Sequence, residues 1–263
     1  MNDLMQTFPI KKIITHSPTV KSFYFDKIFD AEPGQFVNLW LPEIDEKPFS
    51  ISDISGGLME LSIKKYGAFT SRLFECHKGD YVGLRGPFGK GVFTMQKNSL
   101  LVGGGIGIAP LRYLAHNLAQ EKRPFISLLG GLKKDDLLFY KDFEAISSCY
   151  FTTDDGSFGH KGRVTDLLAQ IIEEQKIEYV YAAGPEVMYL PLLEILNNYN
   201  LPYEISFERY MKCGIGICGQ CTLDGSGIRV CLEGPVLNKE QIVQITEIGS
   251  VHRDASGRRI KNN

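Results

Sequence analysis

Residues 100–124 read LLVGGGIGIAPLRYLAHNLAQEKRP, and the fold turns on them. Leu100–Val102 is a short apolar run suited to a buried strand. Gly103, Gly104, Gly105 and Gly107 then bend the chain, and Pro110 to Leu118 carries a helical pattern, with Pro110 tolerated in a first turn. A strand, a glycine turn and a helix start form a site for nucleotide phosphates. The glycines follow the pattern GGGxGxxP rather than the GxGxxG frame.

Downstream, strand and helix alternate. FISLLGGL (125–132), CYFTTDD (149–155) and YVYAAGP (179–185) are continuous apolar runs, as expected of parallel strands covered on both faces. DLLFYKDFEAI (136–146), VTDLLAQIIEEQ (164–175) and EVMYLPLLEILNNY (186–199) read as the helices between and after them. This predicts an open, doubly wound sheet whose ligands lie at the carboxyl ends of its strands. Those ends carry Gly103–Gly107, Gly130-Gly131, Thr153–Gly159 and Ala183-Gly184-Pro185. His160, in the polar loop there, reads as a connection residue rather than a catalytic one. Lys133 and Lys134 leave NAD against NADP open, because they could meet a 2′-phosphate or be solvated.

Upstream, residues 8–93 read as short strands broken by turns, the pattern of a small antiparallel barrel. KKIITHSPTVKSFYFD (11–26), GQFVNLWLP (34–42), LMELSIKKY (58–66) and DYVGLRGP (80–87) are its clearest strands. KPFSIS (47–52) reads either as a flavin platform or as an edge strand with a proline. YGAFTSRLFE (66–75) reads as a short helix with Thr70 or Ser71 as N-cap and Gly67 before it, beside which a pyrophosphate could sit.

Residues 210–236, YMKCGIGICGQCTLDGSGIRVCLEGPV, hold four of the six cysteines. Cys213, Cys218 and Cys221 are spaced C-x4-C-x2-C, and Cys231 follows. This spacing suits a plant-type [2Fe–2S] cluster. Zinc more often takes two CxxC-like pairs, and disulfides suit an oxidising compartment; both stay open on spacing alone. Cys76 and Cys149 read as ordinary thiols.

The chain has 263 residues, 43% of them hydrophobic and 23% charged, with a net charge of −2. That is an ordinary globular composition with no basic field for nucleic acid. No apolar run is long enough to span a bilayer, and the first residues lack the apolar core of a signal peptide, so a cytoplasmic protein is expected. The domain expectation is a flavin barrel over 1–96, an α/β nucleotide domain over 97–203, a cluster module over 204–249 and a polar, frayed tail over 250–263.

Taken together, PGQFVNLWLP, KPFSIS, GGGIGIAPL, TDDGSFGHKG, AAGP and ERYMKCGIGICGQC…VCLEGPV resemble the ferredoxin reductase superfamily. Within it they look like the electron-transfer subunits of class B dihydroorotate dehydrogenases. The resemblance spans about residues 8–240. It implies one FAD, one [2Fe–2S] cluster and NAD as substrate. It also implies a separate FMN-containing catalytic subunit that oxidises dihydroorotate, in a heterotetramer of two of each. Electrons would pass from that partner through the cluster and FAD to NAD+.

Carried over residue by residue, Lys47, Pro48, Phe49 and Ser50 match the flavin segment, and Ser62, Ile63 and Lys64 the strand beside the ribityl and phosphate groups. Gly67, Phe69, Thr70 and Ser71 match the pyrophosphate turn. Cys213, Cys218, Cys221 and Cys231 match the cluster ligands, while Gly103, Gly104, Gly105, Gly107, Gly184 and Pro185 are read as NAD-binding from the GGGxGxxP pattern and the strand ends. No side chain is assigned a catalytic role. Two positions depart from the pattern: Lys47 stands where the family usually has arginine, losing the bidentate fork, and Ala183 stands where many relatives have cysteine before Gly-Pro. Rival readings are the corresponding subunit of a sulfhydrogenase or of an NADH-dependent ferredoxin:NADP oxidoreductase, and a non-enzymatic iron–sulfur regulator.

Overall fold

The computed structural model describes residues 2–261. The N-terminal region is two four-stranded antiparallel sheets packed face to face. One has the order β1-β8-β4-β5, from Asn2–Pro9 (β1), Tyr81–Phe88 (β8), Phe36–Leu41 (β4) and Asp45–Ser50 (β5). The other has the order β2-β3-β7-β6, from Lys12–Ser17 (β2), Val20–Asp26 (β3), Leu58–Lys64 (β7) and Asp53–Ser55 (β6). Alternation drives this closure: Phe23, Phe25, Leu39, Met59, Leu61 and Leu84 point inward and are fully buried together. The run expected over 11–26 is a hairpin, β2–β3, broken at Pro18-Thr19.

A short helix, α1 (Gly67–Leu73), follows β7. It begins earlier than the sequence suggests. Tyr66 is the extended N-cap residue, and Gly67 takes φ +83° at the first helical position. Thr70 is not the cap. Its hydroxyl sits inside the helix and accepts from the Tyr66 N–H at 2.6 Å, so it closes the turn from the other side.

The second region is a seven-stranded sheet of order β12-β11-β10-β9-β13-β14-β15. Its strands are Ser99–Gly104 (β9), Phe125–Gly131 (β10), Ser148–Thr153 (β11), His160–Lys161 (β12), Tyr179–Ala183 (β13), Tyr203–Ser206 (β14) and Val236–Asn238 (β15). All neighbours pair in parallel except β15, which closes the edge antiparallel to β14. The helices are α2 (Ile108–Gln120), α3 (Tyr140–Ile146), α4 (Val164–Gln175), α5 (Tyr189–Asn198) and α6 (Lys239–Ile242). Helix α3 is shorter than expected because Phe139 takes φ +57° and ends the preceding turn. Its ring packs beneath the Arg112 guanidinium at 4.5 Å and edge-on to His16 at 4.8 Å.

Residues 250–263 also depart from expectation within the described residues. Val251–Arg253 (β16) and Arg259–Lys261 (β17) form an antiparallel hairpin rather than a frayed tail. Asp224 holds it, accepting from Arg253 at 2.6 Å and pairing with Arg259 at 3.1 Å.

Candidate functional site

Strand order reverses between β9 and β13, and the loops leaving them meet at the top of the sheet. The glycines there are a packing requirement as much as a phosphate cradle. A Cβ on Gly103 would lie 2.9 Å from Ile108, and one on Gly104 3.0 Å from Met188. One on Gly107 would lie 2.4 Å from the Gly184 nitrogen, and one on Gly184 2.8 Å from Met188. Gly105 alone faces open space, with φ +54°. The two loops are thereby pressed together, and beside them opens a cleft of about 430 Å³.

Gly104, Gly105, Gly131, Gly184 and Pro185 line that cleft, as do Lys64 of β7 and the start of α4. Among the described residues the buried Thr152 hydroxyl in its wall has no hydrogen-bond partner, as expected of a polar atom reserved for a ligand. Arg163 and Asp154 face the cleft as well. Lys133 and Lys134 do not line it. Lys133 pairs with Asp135 at 3.9 Å, and the Lys134 ammonium lies 5.0 Å over Phe158. A larger cavity of about 730 Å³, lined by His16, Tyr24, Arg112 and Phe139, lies between the β2–β3 hairpin and α3, and none of the glycine loops or cysteines borders it.

The barrel segments expected to hold flavin converge. Phe49 of β5 stacks on Phe69 of α1, centroids 6.0 Å apart at 27°. Lys47 pairs with Asp45, donates to the Tyr210 hydroxyl at 3.2 Å and lies 4.9 Å over its ring. Pro48 and Ser50 share β5 with them, and Ser71 follows Thr70 on α1. Ser62 and Ile63 are different. The Ser62 hydroxyl is bonded to Ser22 at 2.8 Å and to Glu60 at 3.1 Å, and Ile63 lies in the barrel core. Neither side chain lines the cleft that Lys64 enters.

The cysteine segment leaves β14 and returns as β15, its base closed by the Phe207 N–H donating to the Pro235 carbonyl at 2.9 Å. Gly214, Gly216, Gly219, Gly225 and Gly227 all take positive φ, which lets the loop fold tightly. Arg85 of β8 donates to the Cys213 carbonyl at 2.8 Å and ties the loop to the barrel.

All six cysteines are free thiols, and four gather here as two pairs. Burial opposes ionisation of Cys213. The N–H groups of Cys218 and Ile215 and the Cys218 thiol outweigh it and bring its pKa down to about 6. The Cys231 thiol, with some opposition from burial, brings Cys221 down to about 7, and Cys231 is itself pushed upward because Cys221 holds the thiolate. Cys221 and Cys231 are buried, Cys218 is exposed, and the neighbouring Ile217 is 80% exposed.

Among the described residues, no three such ligands gather around one point. A two-iron cluster asks instead for two thiolates at each iron, with backbone N–H groups facing the sulfur, and two pairs in a glycine-rich loop fit it. When bound, the cluster supplies single-electron exchange, and FAD couples single electrons to hydride.

Comparison with known proteins agrees with this geometry. Residues 208–243 match the iron-sulfur cluster binding domain of dihydroorotate dehydrogenase B, and residues 101–190 match the oxidoreductase NAD-binding domain. A protein of Methanocaldococcus jannaschii named "Probable dihydroorotate dehydrogenase B (NAD(+)), electron transfer subunit" is 44% identical, over 95% of this chain and 96% of its own length. A Pyrococcus abyssi protein of the same name is 43% identical, over 97% of this chain and 98% of its own.

The chain belongs to the dihydroorotate dehydrogenase B electron transfer subunit family. Members of this family are oxidoreductase subunits, and FAD, a [2Fe–2S] cluster and NAD are the cofactors. The structure of the NADH-dependent reduced ferredoxin-NADP oxidoreductase superposes on this family member with a TM-score of 0.81 and 29% identity, covering 91% of this chain and 89% of that one. The ferredoxin reductase of carbazole 1,9a-dioxygenase, at 20% identity and TM-score 0.65, shares the fold. Among the described residues no helix is long and apolar enough to cross a membrane.

Two cleft residues carried no pattern in the sequence: Arg163 sits at a helix start, and Thr152 is one hydroxyl in a strand. Glu208 opens the quoted ERYMKC run but was assigned no role there. Only Asp154 stood in a loop already singled out.

Proposed function

We propose that this chain passes electrons from an FMN-containing subunit oxidising dihydroorotate, through [2Fe–2S] and FAD, to NAD+, in pyrimidine biosynthesis. The observation that carries the reading is the convergence of three features. The paired cysteines, the flavin segment tied to Tyr210 by Lys47, and the nucleotide cleft all meet along the segment from Phe207 to Cys213. In this reading Lys47–Ser50, Ser62–Lys64, Gly67 and Phe69–Ser71 hold FAD, the latter strand through its main chain at Ser62 and Ile63. Gly103–Gly105, Gly107, Gly184 and Pro185 hold NAD, and Cys213, Cys218, Cys221 and Cys231 hold the cluster. The labour divides along the chain as barrel 1–96, nucleotide domain 97–203 and cluster module 204–249.

Asp154 in the cleft favours NAD over NADP, because a carboxylate accepts from a ribose diol and repels a 2′-phosphate. The partner is the catalytic subunit that the relatives' name implies, in a heterotetramer of two of each. Free thiols at four ligand positions suit a reducing, cytoplasmic setting. A second reading, the small subunit of an NADH-dependent ferredoxin:NADP oxidoreductase, is favoured by the 0.81 TM-score.

Two measurements test the proposal. Anaerobic NADH should bleach the flavin and reduce the cluster of the loaded protein. The complex assembled with its FMN partner should reduce NAD+ in the presence of dihydroorotate. A loaded complex that reduces no NAD+ from dihydroorotate would sink the specific reading.

A further inference from the structure

Strand alternation gives the barrel a polar outer face where the cysteine loop lies. Val37, Leu39 and Leu84 point into the barrel core, so Asn38 and Arg85, partners across β4 and β8, point the other way. Arg85 donates to the Cys213 carbonyl at 2.8 Å and binds Glu46 of β5 at 2.6 Å. Asn38, 1% exposed, donates to the same Glu46 oxygen. The loop covers these groups closely. A Cβ on Gly214 would lie 3.1 Å from the Asn38 amide nitrogen and 3.4 Å from the Phe88 ring, and the Arg85 guanidinium lies 5.1 Å over that same ring. The Arg85 side chain is left 12% exposed and that of Glu46 25%.

A second arginine meets the same loop and makes the comparison. Arg229 donates to the Gly216 carbonyl at 2.8 Å and pairs with Glu233, but its side chain is 38% exposed. Water and salt screen a charge so placed. The charge of Arg85, enclosed by Phe88, Asn38 and the loop itself, acts through a medium that screens it far less. Of the two, only Arg85 bonds a main-chain atom of a proposed cluster ligand. Its counter-charge, Glu46, stands one residue before Lys47, so the strand that carries the flavin segment also carries this carboxylate.

Four thiolates and two sulfides make a two-iron cluster anionic, and each electron it accepts adds one more negative charge. A nearby cation favours the reduced state, and an anion opposes it; net charge, hydrogen bonding and exposure are the levers a protein has on such a potential. In the proposed path electrons pass singly through the cluster and in pairs through the flavin. That path runs readily only if the two centres lie close in potential, since every gap between them is a free-energy step. We propose that the enclosed Arg85–Glu46 pair sets the reduction potential of the cluster, Arg85 raising it and Glu46 holding the rise in check. Both are positioning residues that act through the cluster's field and touch no substrate. The inference rests on the function proposed above, with Cys213 as a ligand.

The test is a potentiometric titration of holo-protein carrying FAD and cluster, followed by the cluster's electron paramagnetic resonance signal. Arg85→Gln keeps an N–H donor and drops the charge. At a fixed applied potential its ratio of reduced to oxidised cluster should fall about tenfold, a midpoint about 59 mV lower for a one-electron couple. Glu46→Gln keeps an acceptor for Arg85 and Asn38 and drops the opposing charge, so its ratio should rise about threefold. Arg85→Lys keeps the charge and should stay within about threefold of wild type, and the screened Arg229→Gln within about twofold. A purely structural role would move Arg85→Gln and Glu46→Gln the same way, because each weakens the same pair. Shifts of the same sign, a shift under twofold in Arg85→Gln, or one as large in Arg229→Gln overturns the assignment. If Arg85→Gln assembles no cluster, the other two variants decide: a rise in Glu46→Gln with Arg85→Lys near wild type is the expected result, and any other pattern overturns it. Reduced wild-type holo-protein without a [2Fe–2S] signal overturns the function first, and the tuning with it.

Discussion

Gly107→Ala tests the claim that the nucleotide site is built by the close approach of two loops. Gly107 has φ −61°, so an alanine suits its backbone, and the objection is space alone. The new methyl would sit 2.4 Å from the Gly184 nitrogen and 2.5 Å from the Ala183 carbonyl carbon and oxygen. Ordinary contact begins at 3.4 Å, so 3.4 − 2.4 gives 1.0 Å of separation to be found between two backbones, with no side chain to swing aside. Overpacking of this kind costs about 2–3 kcal/mol. The strain has two outlets. Borne by the fold, it lowers the melting temperature by about 5–10 °C. Relieved by pushing the Ala183–Gly184 loop out of place, it weakens NADH binding about 30- to 150-fold, at 1.4 kcal/mol per tenfold. The assay is a thermal melt and an NADH titration on the same preparation, with FAD and cluster content as internal controls. Gly105→Ala, which meets no atom within 4 Å but holds φ +54°, should cost only about 1 kcal/mol of backbone strain. If Gly107→Ala melts within 1 °C of wild type and binds NADH within twofold, the packing argument is wrong.

The remaining predictions are brief. Cys231→Ser should abolish the cluster's electron paramagnetic resonance signal while leaving FAD bound, since Cys231 is the buried partner of Cys221; an unchanged signal would remove it from the ligand set. Asp154→Asn should raise the NADPH-to-NADH ratio of kcat/KM about tenfold in a diaphorase assay, the worth of one removed repulsion. Arg209→Met should destabilise the fold by about 3–5 kcal/mol in denaturant titration, because it strands Glu247, which is 1% exposed, and Glu186. Glu204 is buried, and desolvation raises its pKa despite the Thr94 N–H at 2.9 Å. A raised carboxylate binds its proton more tightly when folded, so its stabilising share is present below 4.5 and lost as pH climbs through the folded value. Glu204→Gln should therefore melt higher than wild type at pH 7, with the gain gone below pH 4.5.

What could be read from the sequence was what local chemistry controls. Leu100–Val102 and Val180–Ala183 are buried on both faces, and strands so placed are apolar throughout, hence legible. The cysteine spacing was legible because the four proposed ligands lie on one short segment and are close in sequence. Misreadings came where a distant residue or a nonlocal fit decided. The Thr70 hydroxyl looks like an N-cap but closes the turn from inside the helix, onto Tyr66. Phe139 adopts a left-handed conformation that aromatic residues seldom take, held by Arg112 and His16 from elsewhere in the chain. The stretch 250–261 is polar enough to read as frayed, and its hairpin is anchored by Asp224, a residue no local pattern connects to it.

The strand pairing that the sequence could least reveal is what brings the three sites of the proposed function together. β15 is only Val236–Asn238, too short to announce itself, yet it pairs with β14 and so returns the chain to the sheet edge it left. Residues 207–235 are therefore an excursion with both ends fixed to the nucleotide domain. The barrel holds the same excursion, through Arg85 on the Cys213 carbonyl, Lys47 on Tyr210 and a bridge between Gly91 and Pro235. Electron transfer between centres falls steeply with separation, so a cluster on a tethered, separately moving domain would have to find its flavin on every turnover. Here the cysteine loop is braced by both bodies, and its Ile217–Cys218 tip is exposed; under the proposed function that tip is where a partner would meet the cluster.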